Sequence, residues 1–239
     1  KVVLNMLTDE KRGAVIEENK VVEWLFEQDD HIVQVDSIVL GKVEDIIPGM
    51  EAAFVNIGEE KNGYLYRNEL IQYEKFVREN PDKDAPSIRS LITKGEKVLV
   101  QVKKESFGTK GARLTQFISL PGKYTVYLPF SNYVAVSKKM SSEKVRDKWR
   151  EKGKNWVKDE EGIIIRTSAE QMDEEVVLHE LNELRKLFQH LRDNEKKDNS
   201  APTLIYNGSS LIHRVGRDFF THGKTEIVVD SRDAYEELL

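Results

Sequence analysis

The chain has 239 residues, no cysteine and a formal net charge of −5. That length allows one large domain or two modest ones, and the lack of cysteine excludes a disulfide framework or a thiolate zinc site within these residues. Hydrophobic residues make up 39% and charged residues 33%, which fits a globular chain with a heavily charged surface, and no apolar run approaches the ~18 residues that a membrane span needs. The negative balance argues against indiscriminate duplex binding, which draws on surplus Lys and Arg. Two local basic groups stand out, Lys103, Lys104, Lys110 and Arg113 around one loop, and Lys138, Lys139, Lys148, Arg150, Lys152 and Lys154 further on. Runs of this kind are usually solvated faces. Lys1 to Asn5 reads as a strand and not as a signal peptide, and the lack of cysteine fits a cytoplasmic location, which is expected.

Residues 1–35 alternate as three short strands, Val2 to Leu7, Arg12 to Glu17 and Lys20 to Phe26, with Glu18-Asn19 as a tight turn. This meander is too short to bury a core alone and needs a partner from later in the chain. Ser37 to Ile47 is the next strand, ended by the turn Pro48-Gly49. Met50 to Ile57 and Tyr64 to Tyr66 follow. Residues 67–95, with Pro81 and Pro86, read as irregular or partly helical. Lys97 to Val102 is a clean strand. The loop Ser106-Phe107-Gly108-Thr109-Lys110-Gly111 leads to a last strand, Ala112 to Leu120. Five strands with a longer link between the third and fourth match a five-stranded Greek-key barrel.

Within that barrel the informative stretch is Glu51-Ala52-Ala53-Phe54-Val55-Asn56-Ile57-Gly58, followed by Asn62-Gly63-Tyr64-Leu65-Tyr66. Alternate residues of a strand face opposite sides. Ala53, Val55 and Ile57 form one apolar face, and Phe54 lies on the other beside Ala52 and Asn56. An aromatic on the wetter face of a strand points to a ligand. Tyr64 and Tyr66 repeat the pattern around Leu65. A five-residue loop from Glu59 to Gly63 puts Phe54 and Tyr64 on one face, whereas a four-residue loop separates them. Gly58 and Gly63 both permit positive φ, which leaves the choice open. Aromatics on the open face of a small barrel stack on unpaired bases. The other reading is that they pack under a neighbouring domain.

After the barrel, Tyr124 to Leu128 and Tyr133 to Val136 read as strands. Ser141 or Ser142 caps a short helix bearing Trp149, and Gly162 to Thr167 is a buried strand. Ser168 and Gln171 form a capping box for a helix running to about Arg192. On that helix Val177, Leu181, Leu184, Phe188 and Leu191 form a core-facing stripe. Asn194 to Ala201 is a polar linker. The strands Thr203 to Tyr206, Ser210 to Val215 and Glu226 to Asp230 follow, then a helix from Ser231 to Leu239. Arg166 and Thr167 directly precede the helix start at Ser168. Free backbone N–H groups and the helix dipole favour a phosphate there, and the planar fork of Arg166 can grip two phosphate oxygens. The alternative is an Arg–carboxylate pair beside a helix cap. The five histidines, His31, His179, His190, His213 and His222, show no ligand spacing, and Asp230 reads as a helix cap. No nucleophile–base pair is evident.

An ordered set of motifs carries a specific resemblance. These are Gly41-Lys42-Val43, Glu51-Ala52-Ala53-Phe54-Val55, Gly63-Tyr64-Leu65, Gly108-Thr109-Lys110-Gly111 with Leu114-Thr115, Phe117 to Tyr124, and Ile165-Arg166-Thr167. From residue 1 to the end the chain resembles the N-terminal RNA-recognition portion of the ribonuclease E/G family of bacterial endoribonucleases. The implied fold is α+β, with a five-stranded OB-type (S-one) β-barrel inserted into a ribonuclease-H-like α/β domain and followed by the start of a small strand-rich 5′-sensor unit. On that reading residues 1–35 are the first part of the ribonuclease-H-like domain and 36–116 the barrel. Residues 117–213 are the second part, whose strands pair with the first three, and 214–239 begin the sensor.

The resemblance also implies the sites. Phe54 and Tyr64 match base-stacking positions, and Lys110 matches a basic loop position that meets a phosphate. Gly122, Val126, Arg166 and Thr167 match a sensor for an RNA 5′-monophosphate, with Gly122 allowing close backbone approach and Val126 flooring the pocket. Lys138 stands where relatives often carry another Arg. The implied activity is cleavage of single-stranded RNA in processing and decay. The Mg²⁺ of catalysis and the Zn²⁺ linking subunits are expected beyond Leu239, so this chain is expected to bind RNA without cutting it. Full-length members form homo-oligomers. The rival reading is a non-enzymatic S-one-domain RNA-binding factor in translation or transcription, indifferent to the RNA 5′ end.

Overall fold

The computed structural model describes residues 1–27, 33–197, 200–207, 210–219 and 225–238. His31 and His222 lie outside the described residues. The first three strands are β1 (Val2–Asn5), β2 (Lys11–Glu17) and β3 (Lys20–Glu27). Glu18 and Asn19 take φ values of 48° and 61°, the left-handed pair that a two-residue hairpin turn requires.

The barrel comprises β4 (Ile38–Ile47), β5 (Ala52–Asn56), β6 (Gly63–Tyr66), β7 (Lys97–Lys104) and β8 (Arg113–Thr115). Helices α1 (Ile71–Glu79) and α2 (Ile88–Leu91) fill the link between β6 and β7. The strand order β4-β5-β6-β8-β7 closes because β7 also pairs with β4. Within the barrel β4 serves two partners, with Ile38 to Lys42 on β7 and Lys42 to Ile47 on β5. The β6–β8 pair is parallel and the others antiparallel. This is the closed five-stranded OB-type barrel expected of the sequence, in an α+β chain. Val43, Ala53, Val55, Leu65, Val100, Val102 and Leu114 are buried inside it.

A second sheet, ordered β11-β12-β10-β9, is built from β9 (Leu120–Pro121), β10 (Thr125–Leu128), β11 (Val134–Val136) and β12 (Gly162–Ile165). Helices α3 (Glu143–Trp156) and α4 (Glu174–Lys197) complete its core. Ser142 caps α3 through its hydroxyl on the Val145 N–H. The apolar stripe on α4 is real: Val177, Leu181 and Leu191 are buried, with Leu184 and Phe188 packed beside them. Strand β13 (Thr203–Tyr206) then returns to the barrel and pairs antiparallel with β4, Thr203 opposite Leu40. Ile38 and Leu99 of the barrel share the core of the second sheet.

The third unit joins the two chain ends. β14 (Ile227–Val229) runs parallel to β1, giving the order β14-β1-β2-β3. Helices α5 (Leu211–Phe219) and α6 (Arg232–Leu238) belong to the same unit, and Leu211, Ile212, Val215 and Ala234 share a core with Val2, Leu4 and Val15. The other face of this sheet exposes Trp24 (60%) and Phe26 (50%), stacked 6.4 Å apart.

Four expectations are corrected. The partner of β1 is β14, not a strand from residues 117–213, because β9 to β12 bury their apolar residues against α3, α4 and the barrel residues Ile38 and Leu99. Ser210 to Val215 is not a strand: Leu211, Ile212, Val215 and Phe219 follow the helical repeat and face the third core. Ser168 does not open the long helix. A 3₁₀ turn (Thr167–Ala169) intervenes, with Ala169 buried, and α4 begins at Glu174. Asp230 does not cap α6. It accepts the Met6 N–H at 2.7 Å and the Asn5 amide, while the Ser231 hydroxyl faces the Ala234 N–H at 3.4 Å.

Gly63 lacks the positive φ that its type permits. Its glycine is required by contact: a Cβ there would lie 2.6 Å from Leu114 Cδ1 and 3.1 Å from the Ala112 carbonyl. Gly63→Ala is expected to overpack the β6–β8 contact and cost about 1–3 kcal/mol, read as a lower midpoint in urea unfolding at unchanged slope.

Candidate nucleic-acid interface

The barrel interior decides what faces outward. Ala53, Val55 and Leu65 are sealed in the core, so period two places Phe54, Tyr64 and Tyr66 on the outer face, all half-buried. Phe54 sits directly opposite Tyr64, and Ala52 opposite Tyr66. This register resolves the open question of the loop: the two rings share a face. The same row continues in both directions, with Asp45 beside Phe54 and Arg113 beside Tyr64. Tyr66 meets the Tyr64 ring edge-on at 5.3 Å, and the Arg113 guanidinium lies 5.6 Å over Tyr66.

Lys110 sits in the β7–β8 hairpin, where its backbone exchanges two hydrogen bonds of 3.0 Å with Phe107. Its side chain is exposed, with no ion pair among the described residues. Lys61 donates to the Gly108 carbonyl at 2.6 Å, which clamps this hairpin to the loop joining β5 and β6, the strands that carry the aromatic pair. At the hairpin tip Phe107 is 89% exposed. Sequence reasoning passed over Phe107, although an aromatic in a Gly-containing turn between charged residues was the available signal.

The basic cluster divides in two. Glu69, 5% exposed, accepts Lys103 at 3.0 Å and Arg113 at 2.9 Å, so those cations are matched within the protein, unlike Lys110. Burial raises the Glu69 carboxyl, but hydrogen bonds from Thr115, Lys103 and Arg113 and the Lys103 charge outweigh it, leaving a net lowered pKa. A depressed folded pKa contributes stability above the unfolded carboxylate range that is lost as pH falls through the folded value. Glu69→Gln should therefore lower Tm at pH 7, and its deficit against the parent chain should narrow below about pH 4.

The second candidate site lies on the β10–β12 sheet. Arg166 follows β12 and donates from Nη1 to the Gly122 carbonyl. Its backbone N–H bonds the Tyr124 carbonyl at 2.8 Å. The Thr167 and Ser137 hydroxyls are 2.7 Å apart, and Lys138 follows on the rim of a groove shared with Val136, Arg146 and Arg150. Val126 pairs with Ile164 and Pro121 and is half-buried on the sheet face turned away from the core residues Tyr127, Ile163 and Ile165. The structure thus joins Gly122 to Arg166 directly and puts Thr167 and Lys138 alongside through Ser137.

The surroundings of Arg166 differ in two ways from those its sequence neighbours suggest. With α4 starting at Glu174, Arg166 precedes only the single 3₁₀ turn Thr167–Ala169, and the dipole of the long helix does not stand behind it. Arg166 also has a carboxylate nearby, Asp218 of α5, at 3.7 Å. Asp218 is held more closely by Arg217, at 2.7 Å and 2.8 Å. Burial raises the Asp218 carboxyl, but the Arg217 hydrogen bond and the charges of Arg217, Arg166 and Arg214 bring it below the usual range. Three guanidinium groups therefore face one carboxylate, and the Arg166 side chain remains 38% exposed.

These features stand beside clear similarities to known proteins. The ribonuclease E/G family model matches residues 119–239. The chain is 33% identical over 239 residues to ribonuclease G of Salmonella typhimurium and to ribonuclease G of Escherichia coli (strain K12), covering 99% of this chain and 49% of each relative. It is 36% identical over 220 residues to ribonuclease E of Nostoc sp., covering 92% of this chain and 31% of that relative. The chain spans about half the length of the ribonuclease G relatives it matches, or less for ribonuclease E. On the matched family model and on similarity along nearly its whole length, the chain belongs to the ribonuclease E/G family.

Proposed function

We propose that this chain is the RNA-recognition part of an endoribonuclease acting in RNA processing and decay. It binds single-stranded RNA on the outer face of the barrel and prefers a 5′-monophosphate end. The observation that carries the reading is the opposed pair Phe54 and Tyr64 on the outer face, beside an unmatched Lys110. Flat rings on an open barrel face accept the π-face of any base. Lys110 supplies a cation for the backbone between stacked bases, and Phe107 extends the aromatic surface toward the hairpin tip.

The 5′ end is assigned to Arg166, Thr167, Gly122, Val126 and Lys138. One arm of the Arg166 fork rests on the Gly122 carbonyl, and its remaining N–H groups are available to a terminal phosphate. The Ser137–Thr167 hydroxyl pair can turn a donor toward the same group. Binding the end while the barrel holds a downstream segment raises the local concentration of that segment at a cutting site.

The strand pairing favours a division different from the one read in the sequence. We assign β1 to β3, α5, β14 and α6 to the ribonuclease-H-like unit, interrupted by the barrel, and residues 119–206 to the 5′-sensor unit. Mg²⁺ for catalysis, Zn²⁺ for subunit linkage and the homo-oligomer belong to segments beyond Leu239 on this reading, in a cytoplasmic protein. Among the described residues no group of three or more His, Asp or Glu could hold a metal, and no cleavage step is assigned to them. No helix among them is long and apolar enough to cross a membrane.

Phe54→Ala and Tyr64→Ala should each weaken binding of an AU-rich single strand by roughly 5- to 150-fold, the loss of one stacked base, at unchanged Tm. A structural aromatic pair would show the reverse: lost stability and retained affinity. Arg166→Ala should erase the preference for a 5′-monophosphate over a 5′-hydroxyl end in a competition assay; equal preference in the variant contradicts the sensor. Incubated with monophosphorylated RNA and Mg²⁺, the pure chain should leave the RNA intact on a denaturing gel, and cutting would refute the division of labour.

A further inference from the structure

We infer that Glu180 is the positioning residue of the 5′-end pocket: its carboxylate, seated on the Lys123–Thr125 turn against Gly122, fixes the carbonyl on which Arg166 rests. The inference deepens the 5′-end reading above and rests on it.

Glu180 projects from α4 into the loop between β9 and β10. Its Oε1 accepts the Lys123 N–H at 2.7 Å and the Tyr124 N–H at 3.1 Å. Its Oε2 accepts the Tyr124 N–H at 3.0 Å, the Thr125 N–H at 2.8 Å and the Thr125 hydroxyl at 2.8 Å. Three successive backbone N–H groups aimed at one anion form the concavity that loops use to cradle phosphate. Here the protein's own carboxylate fills it.

This changes the meaning of Gly122. A Cβ at that position would lie 2.6 Å from Cδ and Oε2 of Glu180 and 3.0 Å from Oε1. The close approach that glycine permits is made by an internal side chain, with no ligand needed to explain it. The turn is consequently gripped on both sides. Glu180 holds its N–H groups, Arg166 holds the Gly122 carbonyl, and the Gly122 N–H bonds the Thr125 carbonyl at 2.8 Å. An Arg fork with one arm fixed in this way is oriented before the phosphate arrives, which reduces the ordering cost of binding. Without Glu180 three N–H donors lose their partner, the turn relaxes, and the Arg166 fork loses its rest.

The test is the ratio of affinities for two RNAs of one sequence, ending in a 5′-monophosphate or a 5′-hydroxyl, measured with the 239-residue chain below the melting temperature of each variant. Glu180→Ala should reduce that ratio about tenfold, the scale of a charge-assisted hydrogen bond. Glu180→Gln, which keeps one acceptor oxygen, should fall between. Gly122→Ala should reduce the ratio through its clash with Glu180. In the Glu180→Ala background it should add almost nothing, a non-additive pair. Intact preference in Glu180→Ala and Glu180→Gln, with preference lost in Arg166→Ala, would overturn the inference and leave the sensor standing. Additive losses for the Gly122 and Glu180 variants would also overturn it, since they would mean that Gly122 serves the ligand alone. If Arg166→Ala keeps the preference, the 5′-end reading itself fails and takes the inference with it.

Discussion

The functional account depends on the antiparallel register of β5 and β6. With Ala53 opposite Leu65 and Phe54 opposite Tyr64, the small apolar residues close the barrel and the aromatics are turned out of it. A slip of one residue would turn the side chains of the slipped strand to the opposite face. It would place Phe54, or Tyr64 and Tyr66, in a core that holds Ala53 and Leu65 at complete burial. The register is therefore enforced by packing, with the Gly63–Leu114 contact among its close points. The same constraint that stabilises the barrel creates its recognition face.

Around the barrel the chain repeatedly uses distant residues to hold local geometry. β13 returns from the second sheet to lie along β4, β14 closes the chain ends onto β1, and Glu180 secures a turn more than fifty residues before it. Arg166 illustrates the consequence for the 5′ pocket. Its fork lies between a carbonyl of its own unit and Asp218 of the third unit. Placement of the pocket thus depends on how the two units meet and not on any single loop.

Much of this was legible in the residues because it is local. Period two set Phe54 opposite the apolar face of Ala53 and Val55, although the side of Tyr64 waited on the strand register; helical spacing marked the buried stripe of α4, and Glu18-Asn19 marked its hairpin. What failed was non-local or ambiguous by type. Leu211 and Ile212 read as strand because a six-residue window hides the repeat that Phe219 completes. Ser168 and Gln171 have the letters of a capping box, but the Ser168 hydroxyl donates to the Lys123 carbonyl and the chain turns once before α4. Glu180 lies beside Leu181 on a charged helix and gave no signal, since its role exists only when α4 packs over β10. The pairing of β1 with β14 spans almost the entire chain, and no local pattern encodes it.

The measurement that bears most directly on the central claim is photo-crosslinking of this chain to a 4-thiouridine-substituted single-stranded RNA, with adduct sites mapped by mass spectrometry. The account places the adducts on Phe54 and Tyr64, with Phe107 of the neighbouring hairpin also within reach. Adducts confined to the other exposed aromatic pair, Trp24 and Phe26 of β3, with Phe54 and Tyr64 unmodified, would contradict it.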